Sequence, residues 1–350
     1  MKGAIRRKLI EAGLGATMAL VCLTTTTYAW FAKNADAWVD EFKVDIRQDE
    51  GLTISVDNEN FFSDITTSQV TKAVIAKRLG ITYGDVTDQM VLQYKDDLTL
   101  ASVSTKDLQT FTTVDSKSQT SYRAQDNTTY YVPRELEANE FGYIAFDLYF
   151  KAEVATSDAF SKYRLQFTTS TTTDNERGVS YIKSTEQEQK IYNSLKTFEN
   201  GVAKDYRSGD TINIDPANAM RLGVLTEENV STIYEPNTGY SSYALKGNTN
   251  NLYNPSYNPM LTYFNNSHSA KLEPLDDLDV YKNTQKDFDG NISFGTFERS
   301  VDQTTHEISY NRLKVTVFLW LEGYDGDYLP TTKTNNVELF LNFTKVGLEG

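Results

Sequence analysis

Cysteine and histidine are almost absent from this 350-residue chain: Cys22 is the one cysteine, and His268 and His306 are the two histidines. Each shortage excludes chemistry. Zinc hydrolysis calls for three protein ligands around an open position, commonly with histidine among them. Two histidines without an HExxH pair do not fill that set, and both read as surface side chains, His268 in the loop-like run Asn265-Asn266-Ser267. Nucleophilic triads need a base beside a serine or cysteine, and there is no GxSxG and no Gly-rich phosphate loop. Basic side chains are also outnumbered, 34 against 48 acidic, for a net charge of −14. That balance argues against a broad basic face for nucleic acid or anionic lipid. Long apolar runs are missing too, which excludes a polytopic membrane protein. The 39% hydrophobic and 23% charged content is ordinary, so neither a wholly disordered chain nor a collagen-like repeat fits.

What is present begins with an address. Lys2, Arg6, Arg7 and Lys8 form a basic start, and an apolar stretch of about ten residues runs from Leu14 to Leu23. Thr27-Tyr28-Ala29 then puts small residues at the −3 and −1 positions of a signal-peptidase site, so residues 1–29 read as a cleaved signal peptide. The apolar run is well short of the roughly 20 residues that span a bilayer. Membrane contact is therefore expected to be transient, with a retained anchor as the other reading. Cleavage before Trp30 would take Cys22 away and move the net charge to about −17. An exported chain without cysteine must be held by its core and its strand ladders. The expected location is secreted or on the surface of a Gram-positive type of cell.

Period-2 alternation dominates the rest. Phe42, Val44 and Ile46 alternate with charged residues, and Leu52, Ile54 and Val56 continue after the turn signal Asp49-Glu50-Gly51. Ile144, Phe146, Leu148 and Phe150 alternate likewise, as do Val337, Leu339, Leu341 and Phe343. Each predicts a strand with one buried face, the pattern of antiparallel sheets. Leu313–Leu321 is apolar on both faces and reads as a central strand; 164–168, 211–214 and 221–225 are further strands. Two helices are predicted: one over 67–79 ending at Gly80, the other starting at a capping-box pattern on Ser184 and Thr185 and ending at Gly201.

The fold class expected is mainly β, an antiparallel jelly-roll-like sandwich formed by 30–350 as a single domain. Its core would come from 37–57, 140–168, 210–226 and 311–346, with large insertions at about 58–139 and 227–310 that carry short helices. A two-domain division near residue 170 is the alternative. The first and last strand groups are both core-like, so the chain ends are expected to meet in one sheet.

Candidate sites are sparse. Asp287-Phe288-Asp289-Gly290 resembles the middle of a calcium loop, but Gln285 and Thr296 stand at the first and twelfth ligand positions, leaving Asp287 and Asp289 as a weak calcium candidate; no cofactor is expected. Two acids converging for sugar hydrolysis would leave no spacing signature, and a hydrolase is the third reading behind two non-enzymatic ones. The 22 tyrosines suit strand faces. Alternatively, exposed Tyr253 and Tyr257 form a recognition surface for a glycan or surface protein, as in an adhesin. The segment after the leader, Trp30 to Val39, has apolar anchors in Trp30, Phe31, Trp38 and Val39 and no proline. Such a strand could pair within its own subunit or complete a neighbour's sheet.

The junction Thr27-Tyr28-Ala29-Trp30-Phe31, the strand at 40–46 and Gly51-Leu52-Thr53-Ile54 together resemble the TasA/camelysin group of Gram-positive exported matrix proteins. The similarity covers 20–56 and 313–346. It implies a jelly roll and fibres formed when the mature N-terminal strand completes a neighbour's sheet, hence self-association as the expected partner. The protease activity attributed to camelysin lacks a ligand set here.

Overall fold

The computed structural model describes residues 42–48, 51–94, 98, 100, 102–105, 107–119, 128–136, 142–154, 160–168, 180–184, 187–190, 195–199, 202–207, 209–214, 217, 220–234, 284–285, 288, 292–322 and 337–348. Strands predominate. In chain order they are β1 (Phe42–Gln48), β2 (Leu52–Ser55) and β3 (Asp64–Thr66), then helices α1 (Thr67–Leu79) and α2 (Asp88–Tyr94). There follow β4 (Ser102–Thr105), β5 (Phe111–Gln119), β6 (Thr128–Glu135), β7 (Tyr143–Ala152), β8 (Lys162–Phe167), β9 (Tyr181–Lys183) and β10 (Gln187–Lys190). The rest are β11 (Leu195–Glu199), β12 (Val202–Tyr206), β13 (Thr211–Ile214), β14 (Met220–Thr226), β15 (Ser231–Tyr234), β16 (Thr284–Gln285), β17 (Thr296–Val301), β18 (Ile308–Tyr310), β19 (Arg312–Glu322) and β20 (Val337–Leu348).

Two large sheets contain most of them. The first runs β18-β17-β8-β20-β1-β3 with β9 also on β20; the second runs β16-β15-β14-β19-β4-β5-β6, with β7 on β19 and β2 on β7. The alternating strands supply both inner faces: Val337, Leu339, Leu341 and Phe343 from the first sheet and Ile144, Phe146, Leu148 and Phe150 from the second lie in one hydrophobic cluster. Phe150 meets Phe343 across the gap with ring centroids 4.8 Å apart. Phe167 packs edge-on to Tyr234 from the opposite sheet at 5.2 Å. Burying a side chain of this size contributes about 1.5–3 kcal/mol, so a few such contacts dominate the stability.

β19 is the central strand that its two apolar faces predict. β7 pairs along 312–320 on one side and β14 along 315–321 on the other. The chain ends do meet in one sheet, since β1 runs in full register against β20 from Phe42↔Val337 to Gln48↔Phe343. That pair is parallel, however, as are β15–β16 and β4–β19, so the sheets are not purely antiparallel. Tight hairpins impose antiparallel pairing, but segments this far apart in sequence are under no such constraint. At one corner the chain changes sheets. Ile54 of β2 and Phe62 exchange backbone bonds at 2.8 Å, and two residues later β3 pairs with β1.

Both stretches read as insertions are woven into these sheets rather than only decorating them. Residues 58–139 supply β3 to the first sheet and β4, β5 and β6 to the second, and 227–310 supply β15, β16, β17 and β18.

Of the two predicted helices, α1 forms with the expected limits. Thr66 and Gln69 make a reciprocal capping box, and Gly80 ends the helix in the left-handed conformation. Val70, Ala73 and Val74 enter the main core, while Ile75 and Ala76 pack on Val86. The helix predicted from Ser184 is not present: β10 and β11 occupy that stretch and pair with β13 and β12. Its supposed cap is used elsewhere, because the Ser184 hydroxyl accepts from the Ala217 N–H at 2.8 Å. Strand pairing satisfies the backbone groups that the helix would have satisfied, and a local capping pattern cannot sense that.

Candidate functional site

The residues proposed from sequence for strand donation, Trp30, Phe31, Trp38 and Val39, lie outside the described residues, as do Tyr253, Tyr257, Asp287, Asp289 and His268. His306 is described. It sits exposed at the β17–β18 turn with φ 60°, and its N–H donates to the Asp302 carbonyl at 2.9 Å. Among the described residues no three His, Cys, Asp or Glu side chains gather as a metal site would require.

What the fold positions is the anchorage of the N-terminal segment. Val44 and Ile46 are buried, and every residue of β1 pairs with β20. On its other edge β3 pairs with 45–47. At Val44 the Thr67 hydroxyl closes that edge, accepting from the N–H at 2.9 Å and donating to the carbonyl at 3.1 Å. β1 is thus held near one edge of the first sheet, between its last strand β20 and the short edge strand β3.

Three arrangements outside the main core are well defined, two of them polar. On the outer face of the second sheet, Asp147 accepts from Lys77 Nζ and Thr316 Oγ1, both at 2.6 Å, and pairs with Lys314 at 3.0 Å. Burial pushes this carboxyl up, but the Lys77, Thr316 and Lys314 contacts outweigh it and hold it below the usual carboxylate range. The cluster ties α1 to β7 and β19, and Arg78 adds a bond to the Tyr143 carbonyl at 3.1 Å. The arrangement is an ion-pair network in which one carboxylate joins two lysines from different elements.

The second arrangement is the turn after β2. Asp57 accepts from the Ser55 hydroxyl at 2.7 Å, the Glu59 and Asn60 N–H groups at 2.9 and 2.8 Å, and the Asn60 amide at 2.8 Å. Burial pushes the carboxyl up, but these bonds prevail and bring it down to about 2. Arg312 holds the same turn by donating to the Asn58 carbonyl at 2.7 Å and lying 5.0 Å over the Phe61 ring.

The third is a small second core under the β4–β5 turn. Phe111 stacks on Tyr143 at 3.9 Å and meets Trp320 edge-on at 5.8 Å. The Trp320 indole donates to Glu322 at 3.1 Å. Leu108 fills the space above Gly223, where an added Cβ would come within 2.4 Å of it. Arg221 and Glu322 are both buried here, on the face that carries Trp320 by strand parity. Sequence reading missed this layer because β4 and β5 are rich in Ser and Thr and show no apolar alternation. The double-sided apolar character of Leu313–Leu321 is the signal that something covers its outer face.

No protein-family model, no curated protein and no solved structure matches the chain.

Proposed function

We propose that this chain is an exported, non-enzymatic structural protein of the surface or extracellular matrix of a Gram-positive type of cell, with a jelly-roll-like sandwich as its folded body. In this reading it self-associates into filaments by adding its N-terminal strand to a neighbour, with Trp30, Phe31, Trp38 and Val39 as the anchors. One observation carries the proposal. A leader ending in Thr27-Tyr28-Ala29 is followed by a proline-free, aromatic segment that leads directly into β1, a strand fixed in the sheet by all seven of its residues. A segment so tethered at one end and so apolar at the other is suited to bridging two copies, because an open sheet edge offers N–H and C=O groups that an extended strand satisfies. The mainly β fold and the long ladders fit a load-bearing body that holds together without disulfides.

Deleting residues 30–39 from the mature protein and imaging the product by electron microscopy tests it. Filaments are expected from the mature chain and only single particles from the deletion. Filaments that persist unchanged after the deletion, or a mature chain that forms none, overturn the proposal.

A further inference from the structure

The second sheet ends on β6, and among the described residues no strand pairs with its outer side. Among the described residues β6, at eight residues, is the longest edge strand of the two large sheets: β3, β9 and β18 have three residues, β16 two and β2 four. Short edges offer too few groups to hold a partner. An edge of eight does not have that protection.

The ladder geometry reveals which groups β6 presents. Its register with β5 runs without interruption from Thr112↔Glu135 to Gln119↔Thr128. One residue beyond, the Leu136 N–H donates to the Phe111 carbonyl at 2.9 Å, which makes 111/136 a hydrogen-bonded pair. Bonded and non-bonded pairs alternate, so Thr128, Tyr130, Val132 and Arg134 point their backbone groups at β5. Thr129, Tyr131, Pro133 and Glu135 point theirs outward. Pro133 therefore stands where a proline costs the ladder with β5 nothing, and where its missing N–H is missing from the open edge.

We propose that Pro133 is an edge guard that prevents a second copy of this chain from pairing its own β6 antiparallel to this one. The occupant excluded is a second copy because the edge is self-complementary under a two-fold axis. Thr128 to Val132 is also uncharged and made of strand formers, so nothing else in it repels an identical strand. In such a pair centred near Tyr131, Pro133 of each copy falls opposite Thr129 of the other. Each proline then leaves a carbonyl of the other copy without its N–H donor. The inference is independent of how the N-terminal segment is used.

The full chain carrying Pro133→Thr, and in parallel Pro133→Ala, tests it by sedimentation and amide hydrogen exchange. In the parent, the outward amides of Thr129 and Tyr131 exchange freely while the inward amide of Val132 is protected. The smallest sedimenting species is expected to double in mass in the variants, with exchange at Thr129 and Tyr131 slowed by about tenfold or more. Moving the proline, in the double variant Tyr131→Pro and Pro133→Thr, returns the chain to the parent mass. Unchanged mass and exchange in both single variants overturn the proposal, as does protection of Thr129 and Tyr131 already in the parent. Loss of Val132 protection in both variants also overturns it, since the proline would then hold the strand in place rather than guard it. Filaments abolished by deleting 30–39 bear on the proposed function alone, and exchange at Thr129 and Tyr131 bears on Pro133 alone.

Discussion

Gly223→Ala adds one methyl group to the face of β14 that lies under Leu108. The new Cβ would sit 2.4 Å from Leu108 Cδ2 and 2.8 Å from Cδ1, closer than a Cβ approaches another heavy atom, and 3.1 Å from Cγ, tighter than most such contacts. Leu108 cannot readily withdraw. It is buried, its backbone is in the left-handed region at φ 60°, and its N–H is bound to the Thr105 hydroxyl at 3.0 Å. Overpacking of this kind costs about 1–3 kcal/mol. Leu108→Ala on its own leaves a cavity beneath the turn and costs about 2–5 kcal/mol. In the double variant the methyl on residue 223 occupies part of the vacated space, so the two losses overlap. We expect the double variant to be more stable than the sum of the singles by about 1 kcal/mol or more. Urea unfolding followed by tryptophan fluorescence measures it, because Trp320 lies fully buried in the same layer. Additivity within about 0.5 kcal/mol would refute the steric coupling and with it the packing of the β4–β5 turn onto the sheet.

Two further expectations concern stability. The folded Asp57 carboxyl lies at about 2 against an ordinary 3.8, so its contribution is present above pH 4 and is lost as pH falls from there through 2. Linkage sets a ceiling of about 2.4 kcal/mol, reduced to about 1 kcal/mol because solvent screens a group that is only half-buried. Asp57→Asn should therefore lower stability near neutral pH by about 1 kcal/mol and flatten the profile between pH 4 and 2 in acid titrations of the unfolding midpoint; an unaltered profile would count against the turn's role. Phe343→Ala removes a ring that touches Phe150, Phe167 and Phe294. It should cost about 3–5 kcal/mol in chemical denaturation, and a loss under 1 kcal/mol would mean that the two sheets do not share this core.

Strands that bury one face were legible because alternation records burial directly. Val44 and Ile46, Ile144 through Phe150 and Val337 through Phe343 all appear in the core as their spacing demands. The α1 limits were legible for a similar reason, since a left-handed glycine stop acts locally. Ser184 shows where that logic fails: its hydroxyl serves Ala217, 33 residues away, and the sequence around it forms strands. β5 and β6 were illegible because polar residues dominate one and a proline interrupts the other. Only the ladder shows that Pro133 faces outward, where it breaks no bond to β5. The candidate site was partly legible, as composition in the aromatic run Trp30 to Val39 and as an expected meeting of the first and last strand groups in one sheet, while the parallel direction of the β1–β20 pair was not.

Taken alone, the amino-acid order determined that this chain is mainly β, that few metal or thiol ligands exist, and where the principal buried faces lie. Each of these follows from residue type and short-range periodicity. Tertiary structure alone decided that β1 runs parallel to β20, that a turn carrying Leu108 roofs a second core over Gly223, and that β6 closes a sheet on a proline edge. These depend on which distant segments become neighbours, and no local pattern of hydrophobic and polar residues encodes that choice.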